Sequence, residues 1–127
     1  MMKTKEDIVT PVRYTSQKVE CWDFWLQAGL NPIIASAVKY VWRYKHKNGK
    51  EDLEKALVFI DKAMTLNPFI LRLSESFFEL QPEDIEGFSH WQRAFMDNAV
   101  LSTHPKRYGM ALRNMKLIVQ HLLEEYD

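Results

Sequence analysis

Two proline-led helix starts, Asn31-Pro32 and Asn67-Pro68, bracket the stretch that most restricts how this chain folds. An asparagine there supplies a capping oxygen, and the proline after it has its φ already set for a helix. After Pro32, the residues Ile33, Ile34, Ala37, Val38, Val41 and Trp42 recur at helical spacing, while Ser36, Lys39, Tyr40 and Arg43 fall on another side. Asn48-Gly49 ends this run and turns the chain. A second run, from about residue 50 to 66, has Leu53, Ala56, Leu57, Ile60, Ala63 and Met64 as its apolar stripe. Glu51 and Asp52 open it, where the helix dipole favours acids, and Glu51 precedes Lys55 by four positions, the favourable order for an ion pair. So short a link makes the two helices antiparallel neighbours.

The remaining residues extend the same pattern. Residues 1–16, with Thr10-Pro11, read as an extended arm, since proline pushes its predecessor out of helical geometry. A helix is expected over residues 17–29, with Val19, Trp22, Phe24, Trp25 and Leu26 as apolar contacts and Gly29 as its C-cap. Asn67-Pro68 opens a segment rich in Leu and Phe that runs to Leu80, and Pro82-Glu83-Asp84 begins a short turn ending near Gly87. Ser89 caps a helix from His90 to about Ser102. Thr103-His104-Pro105 begins the last one, whose stripe is Tyr108, Ala111, Leu112, Met115, Ile118, Val119 and Leu122. The expected fold is all-α: a single compact bundle of five or six helices with an extended N-terminal arm, comprising the arm, a core over 17–66 and C-terminal helices over 67–127.

Charge narrows the function. Residues 1–50 carry nine Lys or Arg against four Asp or Glu, residues 51–127 eight against thirteen, so a neutral chain is dipolar. A nucleic-acid-binding domain is normally basic as a whole, so this class is disfavoured. One cysteine, Cys21, excludes an internal disulfide and fits a reducing cytoplasm. No apolar run approaches the roughly 20 residues of a membrane span, and residues 1–10 lack the apolar centre of a signal peptide. With 13% aromatic residues, an exposed apolar patch and self-association into a homo-oligomer are expected.

The sharpest local feature is the change of charge sign at the inter-helix turn. Lys39, Arg43, Lys45, Lys47 and Lys50 are all basic, no acid stands among them, and Glu51 and Asp52 follow at once. Lys39 and Arg43 project the same way from one helix face. Beside the N-terminus of the next helix, whose N–H groups attract anions, Lys39, Arg43, Lys47 and Lys50 form a candidate phosphate site. Glu51 and Asp52 are the candidates to hold magnesium against that phosphate. The same residues also suit a solvated turn whose cations complement a helix C-terminus. Glu51-x-x-Glu54 matches the acid pair of MazG-type nucleotide pyrophosphohydrolases, but neither Glu83-x-x-Glu86 nor Glu75 with Glu79 reproduces the second acidic helix such a site needs. The four histidines lack metal-site spacing, and no glycine-lysine phosphate loop is present. Trp22, Trp25, Trp42 and Trp91 suit either a core or stacking on a base.

Residues 14–64 resemble a small family of phage proteins, mostly catalogued as a domain of unknown function. The resemblance is carried by Tyr14, Val19-Glu20-Cys21-Trp22, Ala37-Val38-Lys39-Tyr40-Val41-Trp42-Arg43, Lys47-Asn48-Gly49-Lys50 and Glu51-Asp52-Leu53-Glu54-Lys55-Ala56, in the family's order. Arg13 stands where the family has His, and Ala35-Ser36 where it has Gly-Asn. One podophage member is described as a deoxynucleoside monophosphate kinase without a phosphate loop. The resemblance therefore implies a phage protein of the infected bacterial cytoplasm and a nucleotide ligand. For a monophosphate kinase the expected phosphoryl donor is ATP, with Glu51 and Asp52 positioning Mg2+ and Tyr14 or Trp42 contacting the base. A different class also suits a small, dipolar, all-α chain: a non-catalytic phage protein that binds and inhibits a host defence factor.

Overall fold

The computed structural model describes residues 20–71, 73–81 and 85–126. The expected extended arm, with Tyr14, lies outside these residues. Among them the regular structure is helical, with no strand, so the chain is all-α as its periodicity requires.

Helix α1 covers Cys21–Ala28 and stops where Gly29 turns left-handed, at φ 68°. Helix α2 covers Pro32–Arg43, and the Asn31 side chain accepts hydrogen bonds from the Ile33 and Ile34 amides, each at 3.0 Å. It ends earlier than Asn48-Gly49 would place it. Tyr44–His46 tightens into a 3-10 turn, because Tyr44 is buried and its ring lies edge-on to that of Tyr126 near the far end of the chain. Helix α3, Lys50–Met64, follows. A single helical turn, Pro68–Leu71, is α4, and residues 73–81 then run without regular structure. Helix α5, His90–Leu101, starts at a capping box in which Ser89 and Gln92 exchange side chain-to-backbone hydrogen bonds. Helix α6, Tyr108–Glu124, begins three residues beyond Pro105.

The contacts fix the topology. Tyr40 of α2 stacks on Phe59 of α3 and Arg43 meets Asp52, so these helices are antiparallel, as the short link demands. On α3 and α6, Ala63 meets Tyr108, and Lys116 pairs with Asp61 at 2.8 Å. Asn98 with Asn114 and Trp91 with His121 align α5 against α6. The buried Gln92 Nε2 donates to the Val41 carbonyl and closes the ring between α5 and α2. A four-helix ring α2–α3–α6–α5 results, with α1 against α2. Helices α3 and α5 stand diagonally and point the same way, so the connection between them must travel the length of the bundle. Ser76 is held by the Thr103 hydroxyl at one end, and Phe88 lies edge-on to Trp42 at the other.

The core follows the stripes of α2, α3 and α6 with additions from α1 and α5, but Met64, Trp22 and Leu26, expected to pack inward, are exposed: Met64 is the last residue of α3, and Trp22 and Leu26 stand on the side of α1 opposite the buried Phe24 and Ala28. Phe24, Ile34, Val38, Val41, Leu53, Ile60, Phe95, Met96, Leu112 and Met115 are buried in one cluster. Two helix ends are closed by side chains from other helices: Gln92 takes up a carbonyl of the last turn of α2, and the Tyr108 hydroxyl one of α3 at 2.6 Å. Such bonds reach last-turn carbonyls that have no partner within their own helix; that of Ala63 also accepts from the Leu66 amide at 3.1 Å.

Replacing the fully buried ring of Phe95 by alanine is expected to cost about 3–5 kcal/mol in denaturant unfolding, the usual range for emptying an aromatic core site.

Candidate functional site

The outer face of α2 brings together the side chains that carry chemistry. Tyr40 lies flat on Phe59, ring centroids 5.8 Å apart, and three cations surround it. Lys39 Nζ is 4.5 Å from the Tyr40 centroid, Arg43 Cζ 5.1 Å and Lys55 Nζ 5.7 Å. All three are within the range in which an aromatic face attracts a cation. The helix period explains the first two, because positions 39, 40 and 43 share one side of α2. Lys55 arrives from α3, one turn beyond Glu51, because the helices are antiparallel.

Behind the cluster Asp52 is fully buried. A carboxylate without water needs partners to stay charged. Arg43 supplies two contacts, Nη2 to Oδ1 and Nε to Oδ2, both at 3.4 Å, and the Asn48 amide donates to Oδ2 at 3.3 Å. The Nε contact is close enough for Coulomb attraction but lacks the alignment of a hydrogen bond. Asp52 thus ties the end of α2 to the turn that follows. Glu51 faces outward to Lys55, with Nζ and Oε1 3.2 Å apart on the surface, an arrangement of little energetic weight. Three cations meet two carboxylates, which leaves one net positive charge. Among the described residues Lys39 has no carboxylate partner.

In the turn, Gly49 has φ 50° and ψ −118°, the geometry of the first central position of a type II′ turn, and the Glu51 amide bonds back to the Asn48 carbonyl at 3.1 Å. Only glycine takes this conformation without strain. Asn48-Gly49 is therefore the tight turn its residues suggest, but four residues, 44–47, separate it from the end of α2.

The site residues expected from sequence fall into groups. Lys39 and Arg43 converge on Tyr40. Lys47 lies in the turn and Lys50 is the first residue of α3, further toward the end of the bundle. Trp42 lies in the core, 8% exposed, between Phe24 and Phe88; two residues from Tyr40, it points away from that ring, and its own ring faces are taken up by the core rather than open to a base. Tyr14 lies outside the described residues. Glu51 and Asp52 point apart, one to solvent and one to the interior, and no group of three or more His, Cys, Asp or Glu able to hold a metal occurs among the described residues. The other acids weighed for a metal site are scattered. Glu54 is exposed on α3, Glu75 pairs with His104, and Glu83 lies outside the described residues. Tyr40 and Lys55 are the members that sequence reasoning missed. The signal was present in the two matching pieces, Lys39-Tyr40-x-x-Arg43 and Asp52-x-x-Lys55, once the helices are folded face to face.

Cys21 and Trp25 of α1 border the cluster. Burial pushes the Cys21 thiol well up, an effect that the Trp25 indole and the positive charges of Lys39 and Arg43 offset only in part. It is a neutral thiol and a poor nucleophile. Among the described residues no helix is long and apolar enough to cross a membrane.

Comparison with known proteins places this face inside a family match. A family model described as a protein of unknown function (DUF3310) matches residues 8–61, a little under half of the chain. That stretch contains Lys39, Tyr40, Arg43, Asp52 and Lys55. No curated protein and no solved structure matches the chain.

Two outcomes check this description. Asp52→Ala leaves the Arg43 guanidinium and the Asn48 amide without their acceptor and is expected to lower unfolding stability by about 2–4 kcal/mol, toward the lower part of the range for buried pairs because Arg43 is partly solvated. Cys21 in the folded protein is expected to react with a thiol reagent at pH 8 far more slowly than in denaturant, as absorbance of the released product reports.

Proposed function

We propose that this chain is a phage-encoded nucleotide-binding protein that takes the phosphate of its ligand on the outer face of α2 and α3. The observation that carries this reading is the convergence of Lys39, Arg43 and Lys55 on the Tyr40 ring. Lys39 has no carboxylate partner among the described residues, so a phosphate oxygen meets an ammonium that need not first give up an ion pair. Arg43 is held in place by Asp52 and offers its remaining N–H groups without much loss of side-chain freedom, the condition for geometric recognition of phosphate. Lys47 and Lys50 extend the positive potential toward the turn. Tyr40 is the support that keeps three cations close despite their mutual repulsion.

Phosphoryl transfer is the finer form of this reading, supported by the resemblance to a family with a kinase member. Catalysis of that kind rests on positioning and charge neutralisation, which a cluster of cations supplies. ATP would be the donor, with Mg2+ carried in on its phosphates.

The test is a thermal-shift titration with nucleoside mono-, di- and triphosphates, with and without Mg2+. A ligand that binds only the folded state stabilises it by about 2.7 kcal/mol at a hundredfold excess over Kd. Lys39→Ala is expected to weaken the binding by about 10- to 100-fold, the worth of one charged hydrogen bond, while leaving the unliganded midpoint unchanged. Absence of a shift with every nucleotide overturns the proposal; a shift without turnover of ATP and a deoxynucleoside monophosphate confines it to binding.

A second reading, a non-catalytic inhibitor of a host defence factor, is favoured by a separate observation. Leu26 on α1 and Phe77 in the crossing segment are 79% and 83% exposed, unusually open for such side chains. Stoichiometric capture of one host protein by the wild-type chain, lost in Leu26→Ser or Phe77→Ser, would support it.

A further inference from the structure

The bundle end that carries the basic turn also carries the last described residues of the chain. Tyr126 lies over the turn. Its ring is edge-on to Tyr44, with centroids 6.2 Å apart. Its hydroxyl lies 3.3 Å and its Cε1 3.5 Å from the point a Cβ on Gly49 would occupy. Tyr126 is 47% exposed and outside the buried core cluster, whereas Tyr44 beneath it is buried. It therefore covers the turn from the solvent side. Glu125, beside it, lies 3.1 Å from His121 Nε2 on the surface.

We infer that Tyr126 is a strap that holds the Tyr44–Lys50 turn in its folded shape, so that the residues just beyond α6 set how firmly the turn carrying Lys45, His46 and Lys47 is held. The inner side of the turn is fixed by its own hydrogen bonds: the Gly49 amide to the Tyr44 carbonyl at 2.9 Å, the Asn48 amide to Asp52, and the Glu51 amide to Asn48. These bonds leave Lys45, His46, Lys47 and Asn48 on the surface. Tyr44 would lose the cover on one edge if Tyr126 swung away, and the 3-10 turn that exists because Tyr44 is buried would lose its reason to form. Gly49 contributes from the other side. With no Cβ it lets the phenol settle onto the backbone, and any other residue would hold the phenol off. The strap concerns the shape of the turn alone and does not rest on the nucleotide reading.

Limited proteolysis of the full chain without any ligand tests it, because Lys45 and Lys47 are trypsin sites within the turn. Tyr126→Ala is expected to speed cleavage after these two lysines by about five-fold or more, the effect of losing local rather than global stability. Tyr126→Phe is expected to keep the slow cleavage, since the contact with Tyr44 is ring on ring. Amide exchange separates a loosened turn from a loosened protein. The Asn48 and Gly49 amides should exchange faster in Tyr126→Ala while those of Phe95 and Met96 in α5 do not. Equal cleavage rates in Tyr126→Ala and the parent overturn the inference. So does acceleration shared equally by core amides, or a Phe variant no better protected than the Ala one.

Discussion

A carboxylate shut away from water dictates the geometry of the α2–α3 corner. Asp52 must have positive or N–H partners, and the chain provides them from residues nine and four positions earlier: the Arg43 guanidinium and the Asn48 amide. Arg43 reaches Asp52 from the last residue of α2, and the turn brings the Asn48 amide inward to the same carboxylate. Gly49 then completes the reversal into α3. The rest of the face follows. With Arg43 pinned, Tyr40 sits one turn back against Phe59, Lys39 beside it, and Lys55 opposite. One buried charge thus anchors the corner at which three partly exposed ones meet.

The cluster is also balanced in a way that matters for its ligands. Its two carboxylates nearly neutralise its cations, so the face does not present a strong field to every polyanion. A long polyphosphate such as a nucleic-acid backbone gains little there, whereas one compact, doubly charged group can be met by several donors at once. The modest charge agrees with the dipolar rather than basic character of the whole chain.

How much of this is legible in the sequence depends on how local each cause is. The starts of α2 and α5 are written in residues adjacent to them, Asn31-Pro32 and Ser89 with Gln92, and were readable. The core stripes of α2, α3 and α6 were readable for the same reason, since helical period is a local property. The end of α2 was not, because it depends on Tyr44 finding Tyr126, some eighty positions away. The stretch to Leu80 is rich in Leu and Phe yet has no regular structure over 73–81; its path is set by the need to cross the bundle, and its backbone is held by Thr103 and His104 from another part of the chain. At the site, Lys39 and Arg43 stood out as a pair one turn apart. Lys55 was hidden by having a satisfactory local partner in Glu51. Asp52 looked like one more acid in a first helical turn, since nothing in the neighbouring residues distinguishes an acid facing the core from one facing water.

The crossing between α3 and α5 divides the bundle into two sequence-local hairpins, α2–α3 and α5–α6, whose contacts with each other are all distant in sequence. Each hairpin buries its apolar face largely against the other, with α1 and the crossing segment adding Phe24, Leu80 and Ile85. A connection long enough to run the length of the bundle is also long enough to reach a neighbouring molecule. Two chains can therefore exchange their α5–α6 hairpins and rebuild every helix contact, with only the crossing segment changing its path. Domain swapping is thus a route to a dimer that this topology leaves open without the need for any new interface.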